Sequence, residues 1–323
     1  MNIFITGAAG FIGSHLVDFH LSKGHQVWGI DSLEQGSLEN IKESIHHPSF
    51  RFERANLLIY PHLNKALEWA EIVYHLAAHV GQKHVLSDPL KVLTENIEGC
   101  KILLSSASTL KKNLKILIAS SSCVYGNCVF AKESDPMYLS SEKFVQEAYP
   151  ASKISNEVLS LCYSNRPELD IIIARFFNVI GPRQSSRYGM VVPSFIEQAL
   201  KNQPITIFGS GLQTRSFISI HDAIFAGYSL LTKHKTSRKV FNIGSQNEIS
   251  IFSLAKTIKK MTGSSSEIVF IPYEEAYGIP FEDIPRRVPC TQNLESEINF
   301  FPQDFLEKIL KEIIAEKKHL FSH

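Results

Sequence analysis

A strand, a glycine turn and a helix open this chain, and few folds begin that way. Residues 2–6, NIFIT, are short, apolar and rich in β-formers, the pattern of a buried strand. The turn GAAGFIG occupies residues 7–13. SHLVDFHLSKG follows, with His15, Leu16, Phe19 and His20 at helical spacing and Gly24 as a C-cap. HQVWGID is a second strand that ends at Asp31. In this order each glycine has a physical task. Gly7 allows the tight turn, Gly10 lets the backbone approach a pyrophosphate, and Gly13 permits close packing of helix on strand. The free amides of the helix N-terminus then face the phosphates, with Phe11 and Ile12 lining the same turn. Asp31 is placed to accept hydrogen bonds from the adenosine ribose and to repel a 2′-phosphate, so the pattern points to NAD over NADP.

The alternation continues. FRFERANL (50–57) reads as a third strand, and EIVYHLAAHVG (71–81) as a fourth running into a small-residue turn. DPLKVLTENIEGCKILLSSAS (88–108) is a long helix, LKILIASSSCVYG (114–126) a fifth strand ending in a serine run, YPASKISNEVLSLCYS (149–164) a helix, and DIIIARFFNVIG (170–181) a sixth strand. Such alternation predicts an α/β fold with a Rossmann-type doubly wound parallel sheet. Beyond it turns become denser, although VFNIGS (240–245) reads as a last strand of the sheet. The NAD-binding domain is therefore predicted over 1–176 plus about 217–248. A smaller α/β C-terminal lobe for the substrate takes about 177–216 plus 249–323.

Composition narrows the function classes. Lys plus Arg is 33 and Asp plus Glu 32, a net charge of +1, which provides no basic field for nucleic acid. Five cysteines, odd in number and without a C-x-x-C pair, argue against a disulfide framework or a metal site and fit a reducing, cytoplasmic compartment. No apolar run approaches the ~18 residues that span a bilayer. Gly7 and Gly10 interrupt the N-terminal apolar run, which does not read as a signal peptide.

Tyr149 and Lys153 form Y-x-x-x-K, one helical turn apart on one face. A phenol titrates near ~10. A neighbouring ammonium and a positive nicotinamide ring favour phenolate, so Tyr149 can act as a base near neutrality. With G-x-x-G-x-x-G, this motif resembles the extended branch of the short-chain dehydrogenase/reductase superfamily, the NAD-dependent nucleotide-sugar epimerases, dehydratases and decarboxylases. The resemblance implies that Asn56, standing where the family usually has an acid, meets the adenine, with Leu57 beside it. It implies that Leu76, Ala77 and Ala78 let the cofactor lie close to the backbone, that Asn96 supports Lys153, and that Phe176 contacts nicotinamide. In SSSCVYG it implies Ser121 as the hydroxyl bridging the sugar O4 and Tyr149, with Ser122 as a further substrate contact. Cys123 stands where dehydratases and decarboxylases often carry Glu. GDP-mannose 3,5-epimerases and GDP-fucose synthases carry cysteine there as an acid/base, so Cys123 is either a catalytic candidate or an inert small hydrophobe.

RFFNVIGPRQSSRYGMVVPSF, FGSGLQTRSFISIHD and FEDIPRRVP resemble the family's substrate segments. They imply that Asn178 binds substrate and that Arg215 and Arg287 grip a diphosphate, for which a guanidinium fork is well suited. They also imply that Arg183 or Arg187 meets the carboxylate of a sugar acid. The expected ligand is a nucleotide-diphosphate sugar, in a branch of UDP-glucose or UDP-glucuronate 4-epimerases and UDP-glucuronate decarboxylases. A 4-epimerase needs only Ser121, Tyr149 and Lys153 and leads the reading. The alternatives are decarboxylation, 4,6-dehydration, 3,5-epimerisation or 5,6-elimination through Cys123, and a non-catalytic NAD-binding scaffold. A homodimer is implied through the helices carrying Asn96 and Tyr149, with Leu93, Ile97, Leu104 and Ala107 on the first and Ile154, Val158 and Leu161 on the second.

Overall fold

The computed structural model describes residues 1–140, 145–186, 189–233, 239–277 and 284–321, with residues 82–84 described by backbone alone. Seven strands form the main sheet: β1 (Asn2–Thr6), β2 (Gln26–Asp31), β3 (Phe50–Arg54), β4 (Ile72–His75), β5 (Leu114–Ser121), β6 (Leu169–Phe176) and β7 (Val240–Ile243). All neighbours are parallel, in the order β7-β6-β5-β4-β1-β2-β3. Except in the edge strand β3, Phe-Arg-Phe-Glu-Arg, their runs are mostly apolar, because helices cover both faces.

On one face α1 (Phe11–Ser22) and the helix Ile220–Thr232 bury Ile3, Ile5, Leu16, Ile172, Ile224 and Phe241. On the other, α2 (Pro89–Ala107) lies over Phe4, Val73, Ile116, Ile118 and Ile171. Asp88 caps α2 by accepting from the Lys91 amide, and Pro89 occupies its first turn. α3 (Ala148–Tyr163) packs beside α2. The chain switches direction of winding between β1 and β4, and a crevice opens there at the C-terminal strand ends.

A second core gathers Phe195, Ile196, Ile207, Leu254, Ile258, Leu310 and Ile313 from the helices Val191–Leu200, Ile251–Thr262 and Leu306–Phe321 and the strand Ile205–Phe208. Beside it a four-stranded sheet runs in the order Glu248–Ser250, Thr214–Ser216, Arg286–Pro289, Phe130–Ala131. Its last strand comes from the first half of the chain, where the sequence shows only a turn-rich stretch. Conversely, Leu294 and Phe300, within the range expected for the lobe, pack into the core of the main sheet. No helix among the described residues is long and apolar enough to cross a membrane.

The apolar stripes expected at a dimer interface divide. Leu104 and Ala107 are fully buried against the sheet, and Ile154 packs towards Val124 and Tyr125. Val158 and Leu161 are the exposed members, at 48% and 40%.

Three histidines are buried as neutral rings. His15 Nε2 lies 3.0 Å from the Pro182 carbonyl, His20 Nε2 3.1 Å from the Tyr74 hydroxyl, and His75 Nδ1 2.9 Å from Thr6 Oγ1. Burial lowers them to about 4, 3 and 3 respectively. Their folded values lie below the unfolded one, so the unfolded chain takes up protons first. Each ring's contribution is complete above the ordinary histidine value and is lost as pH falls, by about 1.4 kcal/mol per unit. Urea midpoints should therefore drop steeply from about pH 6.5 downward. A flat stability profile to pH 5 would show that these rings accept protons in place.

Candidate active site

The crevice begins where α1 meets the sheet. A Cβ placed on Gly13 would lie 2.0 Å from the Gly7 carbonyl oxygen, so the helix start touches the turn backbone to backbone. Gly7 has φ +76°, and a Cβ there would come within 2.9 Å of the Ala77 amide nitrogen. Gly10 caps α1 with no side chain of its own, which leaves the helix amides open towards the crevice.

Asp31 sits at the end of β2. Its carboxylate accepts from the Ala9 amide at 3.0 Å and the Leu33 amide at 2.8 Å. Burial raises its pKa against the pull of these bonds. Gly36 lies against it, where a Cβ would stand 2.6 Å from a carboxylate oxygen. Next to Gly36, the Gln35 amide pairs with Val80 in both directions, donating to its carbonyl at 3.0 Å and accepting from its amide at 3.1 Å. Neither Gln35 nor Gly36 was legible as a site residue, because each acts by holding loops in place.

These elements border a cavity of about 1170 Å³. Every residue predicted to meet the cofactor lines it, from Gly7, Gly10, Phe11, Ile12 and Gly13 through Asp31, Asn56 and Leu57 to Leu76, Ala77, Ala78, Asn96, Tyr149, Lys153 and Phe176. A long groove with bare helix amides near one end and a carboxylate beyond them suits a dinucleotide. Two of these side chains also bond to the protein around them. The Asn56 carbonyl oxygen accepts from the Leu58 amide at 2.9 Å, capping a turn. Asn96 bonds to Ser152 Oγ, next to Lys153 in α3, and to the backbone of His79. The lysine ammonium donates to the Ala119 carbonyl at 2.8 Å.

Ser121 ends β5, and its Oγ accepts from the Cys123 amide at 3.3 Å. Tyr149, near the start of α3, has the Ser121 hydroxyl beside its phenol. Burial pushes the Tyr149 phenol above its usual range, while the Ser121 hydroxyl pulls the other way. Lys153 Nζ lies 5.7 Å from the centre of the Tyr149 ring. Burial lowers its ammonium below the usual lysine value. Cys123 packs with Val124, Tyr125, Ala131 and Phe177, and burial pushes its thiol up to about 11. A thiol held so high carries little thiolate at neutral pH.

Arg215 and Arg287 occupy paired positions on neighbouring parallel strands. Side chains in register on one face of a sheet lie side by side. Arg215 donates to the Thr214 and Ile284 carbonyls, and Arg287 to the Gly126 carbonyl at 2.7 Å. Asn178, at φ +38°, donates to the Ser216 carbonyl and so ties the end of β6 to the Arg215 strand. Ser122, Asn178, Arg215 and Arg287 are not among the residues lining the large cavity. Arg183 does line it, but as a strut: its guanidinium pairs with Asp18 of α1 at 2.6 Å, and its amide bonds to Glu316 of the last helix. Arg187 lies outside the described residues.

A sequence profile described as the NAD dependent epimerase/dehydratase family matches residues 3–244. The chain belongs to this family. It is 34% identical over 320 residues, 96% of this chain and 95% of the relative, to a UDP-N-acetyl-alpha-D-glucosaminuronate decarboxylase of Bacillus cytotoxicus. It is 30% identical to UDP-glucuronic acid decarboxylase 1 of Xenopus tropicalis, covering 97% of this chain and 71% of that one. Among solved structures, a UDP-glucuronic acid 4-epimerase from Bacillus cereus in complex with NAD superposes with a TM-score of 0.86 at 30% identity, covering 99% of this chain and all of that one. A UDP-glucose 4-epimerase from Thermotoga maritima with UDP-glucose gives 0.87 at 27% identity, with the same coverage. The family cofactor is NAD, and the glycine cradle with Asp31 fits it.

Two outcomes follow from this geometry. Asp31→Ser removes the carboxylate that Asp31 would offer to the ribose hydroxyls. NAD affinity should fall by about 10- to 100-fold, the scale of one charge-assisted hydrogen bond, while NADP binding improves. Calorimetric titration with both nucleotides reads this directly, and unchanged preference would remove Asp31 from the selection. Tyr149→Phe should lower turnover by ~10²-fold or more with the cofactor still bound. Turnover near that of the parent protein would mean that the phenol takes no part.

Proposed function

We propose that this protein is an NAD-dependent nucleotide-sugar 4-epimerase acting on a UDP-hexose or UDP-hexuronate through a transient 4-keto sugar. Tyr149 removes the O4 proton, and the Ser121 hydroxyl holds O4 as charge develops on it. Lys153 stands beside the phenol, anchored to the Ala119 carbonyl, and favours the ionised form. NAD, when bound, supplies the hydride acceptor and a positive charge near the phenol. After the ketone turns its other face, Tyr149 returns the proton to O4. Arg215 and Arg287, side by side, hold the diphosphate so that the sugar can turn while the nucleotide stays fixed.

The observation that carries the reading is that Ser121, Tyr149 and Lys153 line the cavity and Cys123 does not. Elimination or epimerisation at C3 or C5 needs a second base next to the ketone. The residue at that place is a thiol pushed up to about 11 by burial. Epimerisation at C4 needs only the Ser121–Tyr149–Lys153 set. The names of the Bacillus cytotoxicus and Xenopus relatives favour a second reading, decarboxylation of a UDP-hexuronate. That carboxylate is β to the 4-ketone and can leave without a base, so the two readings share their first step.

The setting is a cytoplasmic one, which suits five free cysteines. The protein is a homodimer through the α2–α3 surface, supported by the exposure of Val158 and Leu161. Sedimentation that gives only monomer at micromolar concentration would reject the dimer.

Product analysis by NMR tests the activity. UDP-glucose, UDP-N-acetylglucosamine and UDP-glucuronate are each incubated with NAD-loaded protein. The 4-epimer of at least one is expected. A UDP-pentose from UDP-glucuronate would establish the decarboxylase instead. Cys123→Ser should keep most of the activity, because a hydroxyl fills the same space. A fall of ~10²-fold would make Cys123 an acid/base and overturn the 4-epimerase reading.

A further inference from the structure

Behind Tyr149 and Lys153 lies a buried polar network that the chemistry above does not use. Its centre is Glu157, one turn further along α3 and wholly buried. The Glu157 carboxylate takes two guanidinium nitrogens of Arg175, Nε at 2.9 Å and Nη2 at 2.7 Å. It also accepts a short hydrogen bond from the Ser120 hydroxyl. Arg175 Nη1 donates to the Tyr125 hydroxyl at 2.7 Å, which donates in turn to Asn242 Oδ1 at 2.6 Å. Asn242 donates to the Ala131 and Cys290 carbonyls. One connected set of bonds thus joins α3, β5, β6, β7 and the turn that carries Cys123.

A buried ion pair adds little to stability by itself, since desolvation cancels most of its attraction. The position of this one is informative. Ser120 is the residue before Ser121, and Arg175 the residue before Phe176. Glu157 shares its helix with Tyr149 and Lys153. Its carboxylate therefore fixes the end of β5 against the helix that presents the phenol.

We propose that Glu157 is a positioning residue. Through Ser120 it holds the end of β5 so that the Ser121 hydroxyl stays aimed at the Tyr149 oxygen. The titratable groups facing Tyr149 and Lys153 are Cys123 of the turn after β5, Cys100 of α2, His75 of β4 and Glu157 itself. Arg175 of β6 faces Glu157, and Arg287 faces Cys123. Loosening Ser121 withdraws a hydrogen bond from the phenolate and leaves burial to raise the phenol further.

The deciding variant is Ser120→Ala, which deletes one hydroxyl and keeps the Glu157–Arg175 pair. Glu157→Gln serves as the second variant, because it leaves Arg175 buried beside a neutral amide and lowers stability as well. The readout is the Tyr149 phenolate titration in NAD-loaded protein, followed by near-ultraviolet absorbance with Tyr149→Phe as the blank. Ser120→Ala should shift that titration upward by about one pH unit and lower kcat about tenfold at unchanged KM. Ser120→Thr, which keeps the hydroxyl, should restore both. If Ser120→Ala leaves the titration and kcat where they were, the network is structural and the proposal is wrong, whatever happens to the melting temperature. The kcat arm rests on the proposed 4-epimerase activity, whereas the titration needs no sugar. A parent protein that turns over no nucleotide sugar would therefore defeat that activity and leave the Ser120 result to stand or fall alone.

Discussion

α1 begins against the carbonyl of Gly7, too close for any side chain to stand between them. This contact sets the position of the helix amides relative to the sheet. It also draws the turn after β4 inward, where Ala77 meets Gly7 with less room than a Cβ needs. The crevice exists because these three backbone segments converge on each other and on the end of β5. Everything placed around it, from Asp31 at one end to Ser121 at the other, takes its position from strand ends that the sheet holds in register.

A second constraint shapes the reacting end. Lys153 is buried and Tyr149 and Cys123 are partly buried, and loss of water disfavours the charged form of each. The Ser121 hydroxyl lies beside both Tyr149 and Cys123 and opposes burial at each. Lys153 donates to the Ala119 carbonyl. Cys123 sits among Val124, Tyr125, Ala131 and Phe177, and its thiol stays high. Ser121, Tyr149 and Lys153 line the cavity and Cys123 does not, so one proton-transfer couple faces the ligand space. This pattern allows a ketone to form at C4 while the hydrogens on adjoining carbons stay in place.

Much of this was legible from the sequence. The glycine turn, the acid at the end of β2 and Y-x-x-x-K carry their chemistry in residue type and spacing, because local geometry alone sets their relations. Parallel strands alternating with helices were legible for the same reason. What was not legible depends on contacts between distant segments. Phe130 and Ala131 join a sheet with Arg286–Pro289, far along the chain, and nothing near residue 130 announces it. Arg183, expected as one of two arginines for a substrate carboxylate, pairs with Asp18, which α1 brings beside it. Asn96, expected to support Lys153, bridges His79 and Ser152, the neighbour of Lys153. Leu104 and Ala107 share a helical stripe with Leu93 and Ile97, but the sheet claims that part of the face. For Arg183, Asn96 and the helical stripe the sequence named the residues, and the packing of another element decided their partners.

The central claim is that a single acid/base couple serves a reaction confined to C4. Running the reaction in deuterium oxide tests it directly. With the 4-epimerase substrate, the product recovered after many turnovers should retain its original hydrogens at C3, C4 and C5, because the hydride that leaves C4 returns to C4. Solvent deuterium at C3 or C5 would show that a neighbouring carbon was deprotonated or lost its carboxylate, and would contradict the account.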